Sequence, residues 1–141
     1  MKPLTIAVTG LNATDNPAPG VPVIRAIREG AGDRPIRIIG LAYEPLDPGL
    51  YMPGIVDAGY LMPYPSQGSD TLLGRLQGIH AEEELDVVLP TLDSELPAYL
   101  KIERTLAEMG IRCFLPDADG LKLRSKARFN TLGETCGIRV P

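Results

Sequence analysis

The residues able to do chemistry in this 141-residue chain gather in a few short stretches. In "PTLDSE" (90–95), Thr91, Asp93, Ser94 and Glu95 stand where an apolar run gives way to a helical pattern. Backbone N–H groups and the helix dipole at such a junction favour an anionic group. Asp93 and Ser94 are expected as caps, each worth about 1 kcal/mol. Glu95 either binds a substrate amine or complements the dipole. The stretch "GLNATDNPAPG" (10–20) carries Asn12, Thr14 and Asp15, which either hydrogen-bond a polar small molecule or satisfy their own loop backbone. "YEPLDPG" (43–49) is the third stretch. Near the end, Lys122, Arg124, Lys126 and Arg128 form a basic strip that either meets a nucleotide's phosphates or is a solvated helix face.

Several chemistries are excluded. A dinucleotide site would place Glu44 on a ribose, but G-x-G-x-x-G is absent: Gly10 is followed by Leu11, Asn12 and Ala13, with the next glycine at position 20. There is no G-x-x-x-x-G-K-[ST] either. His80 is the only histidine and lies within a helical pattern, so no Ser/His/Asp or Cys/His set can be assembled. No catalytic residue and no metal ligand is assigned. Cys113 and Cys136 lack CxxC spacing and read as small buried hydrophobes in a reducing compartment.

The elements that must hold these stretches follow from periodicity. "LTIAVTG" (4–10) is a nearly continuous apolar run ending at glycine, as a strand buried on both faces reads. Val21, Ile24 and Ile27 then recur at helical spacing, with Pro19 and Pro22 before or within the first turn. "IRIIGLAY" (36–43) is a second strand. The passage 44–68 holds prolines at 45, 48, 53, 63 and 65, and "VDAGYLMPY" (56–64) inside it predicts one short strand; a connection this long carries either a function or an edge strand. Ser69 or Asp70 is expected to cap a helix whose Leu72, Leu73, Leu76, Ile79 and His80 share one side, with His80 partly buried. "LDVVLPTL" (85–92) is the strongest strand signal. A helix follows, with Pro97 in its first turn and Gly110 as its stop. "IRCFLP" (111–116) is the last strand. Asp117 opens a short helix, and Ser125 caps a final one lined by Phe129, Leu132 and Cys136 and ended by Gly137. Strands alternating with helices pair in parallel, giving a doubly wound, mainly parallel α/β sheet in three layers. Ligands bind such a sheet beyond the carboxyl ends of its strands, which selects the stretches after Gly10, Ala42 and Pro90.

The net charge of -4 disfavours a nucleic-acid binder, which needs surplus Lys and Arg. No apolar run approaches the ~20 residues needed to cross a bilayer, and no signal-peptide pattern opens the chain. A soluble cytoplasmic protein with no membrane partner is expected. The "NAT" at 12–14, without a secretory signal, is read as a chance glycosylation match.

"VVLPTLDSEL" (87–96) and "LRSKARFNTLGETCGIRVP" (123–141), with the Gly-ended first strand, resemble the N-terminal, Rossmann-like pre-ATP-grasp domain of ATP-grasp ligases. Carbamoyl-phosphate-synthase-like members look nearest. The resemblance implies a pre-ATP-grasp domain over 1–120, then a connecting helix and the start of an ATP-grasp unit over 121–141. It implies ATP and Mg²⁺ as cofactors, bound mostly by that unit, which would act in cis or in trans, and it leaves room for a homodimer. The substrate would be a small-molecule carboxylate, activated as an acylphosphate, with Asn12, Thr91, Asp93 and Glu95 on the substrate side. Lys126 matches the family's basic residue that reaches the nucleotide. The alternative is a freestanding Rossmann-like metabolite-binding module without catalysis.

Overall fold

The computed structural model describes residues 2–13, 17–123 and 128–139. Five strands, β1 (Leu4–Val8), β2 (Ile36–Ala42), β3 (Ala58–Leu61), β4 (Val87–Leu89) and β5 (Arg112–Cys113), form one sheet in the order β3-β2-β1-β4-β5. Every pairing is parallel. Among the described residues, five α-helices accompany them: α1 (Gly20–Gly30), α2 (Ser69–Glu83), α3 (Leu96–Glu108), α4 (Ala118–Leu123) and α5 (Phe129–Cys136). The proline-rich passage yields β3 as an edge strand and two 3₁₀ turns, Pro48–Leu50 and Pro65–Gln67.

Alternation along the central strands builds two cores, one on each face. Ala7, Ile39, Leu41 and Val88 point to the side covered by α2 and α3, where Leu72, Leu76, Ile79, Tyr99, Ile102 and Leu106 pack. Ile6, Val8, Ile38 and Ala42 point to the other side, against Ile24 of α1 with Ile55 and Leu11. The three layers expected from the sequence are therefore present. Because α1 leaves β1 toward one face and α3 leaves β4 toward the other, a crevice opens beyond the carboxyl ends of β1 and β4.

The opposite ends of the strands are stapled by a repeated device. Asp86, just before β4, accepts the Thr5 N–H of β1 at 2.8 Å while its own N–H donates to the Thr5 carbonyl at 3.0 Å. Asp57, just before β3, does the same with Ile38 of β2, at 2.7 and 2.8 Å. Each carboxylate thus takes a strand N–H lying just outside the regular ladder, a group that is costly to leave unpaired.

Some sequence expectations need correction. α3 starts at Leu96 with Glu95 at its N-cap position, and neither Asp93 nor Ser94 holds that place. α2 includes Ser69 and Asp70 in its first turn, and Gly68 stands at its N-cap. Cys136, expected on a buried face, is exposed, because α5 sets few side chains against the domain. Cys113 is half-buried, and burial pushes its thiol up to about 12. Asp117 does cap α4, its Oδ1 accepting the Gly120 N–H at 2.7 Å. His80 is partly buried as expected. Ser125 lies outside the described residues.

Candidate functional site

The three stretches selected by strand topology meet in space. The first carries Thr9 and Gly10, which follow directly from β1, and both are buried. Gly10 has φ +71°, and a Cβ there would collide with the Thr91 Oγ1. Glycine is what lets the end of β1 approach the end of β4 so closely. The Gly20 N–H, opening α1, donates to the Gly10 carbonyl at 2.9 Å, and a Cβ at Gly20 would strike the Thr9 and Gly10 carbonyl oxygens. On the β2 side, the Gly49 N–H donates to the Leu11 carbonyl at 3.0 Å, which ties in the stretch after β2.

Glu95 is the hub of this junction. It is 1% exposed, although carboxylates are seldom interior. Its Oε2 accepts the Thr9 hydroxyl at 2.7 Å and the Leu92 N–H at 3.2 Å; its Oε1 accepts the Tyr43 hydroxyl at 2.5 Å. Thr9 and Thr91 are cross-linked in turn. The Thr91 N–H donates to the Thr9 Oγ1 at 2.8 Å, and the Thr91 hydroxyl donates to the Thr9 carbonyl at 3.0 Å. One carboxylate therefore clamps the ends of β1, β2 and β4 together.

Electrostatics follow from burial. Desolvation raises the Glu95 carboxyl above the ordinary range, opposed by hydrogen bonds from Thr9, Tyr43 and the Leu92 and Thr91 backbone. Tyr43 is pushed upward by burial first and by the Glu95 charge second, so its hydroxyl stays a donor. Tyr99, fully buried one helical turn after Glu95, is also held protonated by burial, and its hydroxyl has no hydrogen-bond partner. Outward of the hub, Tyr43 stacks on Tyr64 with ring centroids 5.6 Å apart and planes at 15°. The Tyr64 hydroxyl donates to Glu44.

The sequence-selected residues are distributed unevenly around this hub. Thr91 sits in it, half-buried. Asn12 is half-buried in the first stretch, and its carbonyl accepts the Ala18 N–H at 3.2 Å. Asp93 is exposed at the turn between β4 and α3. Glu95 is present but turned inward, both oxygens occupied, so it offers no open face to a substrate amine in this structure. Lys126, Thr14 and Asp15 lie outside the described residues. Thr9, Tyr43 and Tyr99 adjoin the hub, and the sequence reading gave none of them a site role. The available signal was a hydroxyl residue directly after a mostly apolar strand, Thr9 in "LTIAVTG".

Among the described residues, no group of three or more His, Cys, Asp or Glu side chains is placed to hold a metal ion. The stretch after β1 is pinned by hydrogen bonds to Gly20, Gly49 and Thr91 and lacks a glycine-rich phosphate cradle. No helix of the described residues is long and apolar enough to cross a membrane.

No family model and no curated protein matches the chain. Solved structures do. The biotin carboxylase domain of a single-chain bacterial carboxylase aligns over 97% of this chain at TM-score 0.57 and 20% identity. The biotin carboxylase subunit of pyruvate carboxylase aligns over 99% at TM-score 0.57 and 19% identity. The biotin carboxylase domain of a thermophilic 2-oxoglutarate carboxylase, determined bound to ADP, aligns over 96% at TM-score 0.55 and 20% identity. The chain spans 30%, 29% and 28% of those proteins. At such identities the likeness is one of fold. The chain has the fold of the N-terminal, pre-ATP-grasp region of biotin carboxylases.

Proposed function

We propose that this chain is the N-terminal, substrate-side domain of an ATP-grasp carboxylate ligase, acting through an acylphosphate once joined to an ATP-grasp unit in the same chain or a partner. The observation that carries this reading is the alignment of 96–99% of the chain with under a third of three biotin carboxylase structures. The finer assignment, to the carbamoyl-phosphate-synthase-like branch, rests on "VVLPTLDSEL" and the 123–141 stretch. The biotin carboxylase structures support the broader class.

In this reading the domain, residues 1–120, supplies one wall of a cleft, and 121–141 leads into the ATP-grasp unit. That unit holds most of the ATP and the Mg²⁺. Asn12, Thr91 and Asp93 line the substrate side, and Glu95 fixes the wall from behind. Lys126 turns to the nucleotide as a point charge. What such a wall contributes is positioning: the reacting carboxylate is held against groups that do not move.

The test is ADP formation by the joined ligase and by the 141-residue chain alone. The joined protein is expected to form ADP in response to a carboxylate. Lys126→Ala is expected to lower that rate ~10- to 100-fold, the equivalent of one charge-assisted contact of ~1.5–3 kcal/mol. The isolated chain is expected to fold without turnover. Turnover by the isolated chain that survives Lys126→Ala would remove the basis for the proposal.

A further inference from the structure

The two edges of the sheet are finished differently. At the β3 edge, the Arg75 Nε donates to the Leu61 carbonyl at 2.9 Å and its guanidinium lies 5.6 Å from the centre of the Tyr60 ring, so a charged side chain covers the strand. At the β5 edge, no side chain among the described residues bonds to the Cys113 backbone. The Arg112 N–H donates to the Asp86 carbonyl at 2.9 Å, so the Arg112 backbone faces β4. Backbone groups alternate sides along a strand, and the N–H and carbonyl of Cys113 therefore point away from the sheet. An open hollow of about 620 Å³ lies against this edge, lined by Ala107, Gly110, Ile111, Cys113 and Phe114 among others. Side chains alternate as well. Cys113 and Leu115 pack against the core beneath α2 and α3, so Arg112 and Phe114 stand on the opposite face, Arg112 exposed and Phe114 78% exposed.

We propose that β5 is a self-pairing edge, at which a second copy of this chain adds its own β5 antiparallel about a two-fold axis at Cys113 and continues the sheet across the dimer. The outward N–H and carbonyl of Cys113 exchange both hydrogen bonds with those of the partner's Cys113. Pairing centred on Arg112 would need backbone groups already given to β4, so Cys113 is the residue the edge leaves for an axis. That register sets Arg112 directly opposite the partner's Phe114, twice by symmetry. A guanidinium and an aromatic ring attract one another in such a cross-strand pair. The segment Arg112-Cys113-Phe114 is therefore its own complement in charge and shape, as a two-fold interface requires. An uncovered strand edge beside an exposed phenylalanine is a template for a further strand. The pairing follows from the sheet alone and does not depend on the ligase reading.

The test is sedimentation velocity on the 141-residue chain. The contact is small, which puts the Kd on the order of 100 µM, so association is followed from ~10 µM to ~1 mM. Phe114 is mostly exposed, and its replacement is expected to leave the far-UV circular dichroism unchanged. Phe114→Glu sets an acid opposite the partner's Arg112 and is expected to hold the Kd within about threefold of the parent, whereas Phe114→Arg sets arginine against arginine and is expected to raise it about tenfold or more. In the parent, hydrogen exchange at the Cys113 amide is expected to slow as the concentration rises. A parent that stays monomeric throughout overturns the pairing and leaves the edge to a strand of another protein. Equal association in all three proteins, or equal loss in both variants, overturns it too, because neither depends on what faces Arg112. The measurement needs neither ATP nor the ATP-grasp unit, so its failure leaves the ligase reading standing, and the reverse.

Discussion

Replacing Glu95 separates the two things its carboxylate does, accepting hydrogen bonds and carrying charge. Glu95→Ala removes the acceptor of the Thr9 hydroxyl, the Leu92 N–H and the Tyr43 hydroxyl at once, and leaves a void where a side chain was 1% exposed. Tyr43 is half-buried and can recover water, whereas the Thr9 hydroxyl cannot. Stranded buried donors cost about 1–3 kcal/mol each, and breaking a buried charged network about 3–5 kcal/mol in total. Taking ~4 kcal/mol and a urea slope of ~2 kcal/mol per M, the midpoint falls by ~2 M. Glu95→Gln keeps the shape and one acceptor oxygen for the Thr9 hydroxyl and the Leu92 N–H, and its NH₂ can donate to the Tyr43 hydroxyl oxygen. It sheds the desolvation that raises the carboxyl, so its stability at neutral pH is expected within ~1 kcal/mol of the parent. The pH dependence gives a second reading. Folded Glu95 keeps its proton to higher pH than the unfolded chain, whose carboxyl titrates near 4.5. Between those values the native state binds more protons, so this group's contribution is fully present below about 4.5 and is lost as pH rises through the raised folded value. Urea unfolding by circular dichroism across pH 4 to 8 (roughly the span that brackets a raised carboxyl) should show this decline in the parent and not in Glu95→Gln. An alanine variant as stable as the parent would refute the hub.

Two further substitutions test the geometry around it. Gly10→Ala places a methyl against the Thr91 Oγ1 at φ +71°, whereas Gly54→Ala has a similar φ, +73°, and open space around it. Both lose ~1–2 kcal/mol to the left-handed backbone, but only Gly10→Ala loses a further ~1–3 kcal/mol to overpacking. Equal thermal shifts in the two variants would disprove the close approach. Asp86→Ala removes the acceptor of the Thr5 N–H and is expected to cost ~1–3 kcal/mol, with faster hydrogen exchange at Thr5 than at its strand neighbours Ile6 and Ala7. Unchanged protection at Thr5 would show that this staple is dispensable.

Much of this molecule was legible in its sequence because the determining interactions are local or periodic. The apolar runs before Gly10 and after Ile36, alternating with helical spacing, imply a parallel sheet with both faces covered, and the cores around Ala7 and Val8 follow from that alternation. Topology then fixed which stretches lie at the carboxyl ends, so Thr91 and the segment from Gly10 could be singled out together. Caps were less legible. Asp93 and Ser94 have the right composition for α3, yet the turn before the helix places Glu95 at the N-cap position.

What the sequence could not reveal was the direction in which Glu95 faces. A glutamate in the first turn after a strand reads as a surface charge for a substrate or a dipole. Only the packing of β1, β2 and β4 brings Thr9, from 86 residues away, and Tyr43, from 52, within reach of its two oxygens. A buried charge is tolerable only where such donors converge. That convergence is a property of strand order, which no local stretch of the chain encodes.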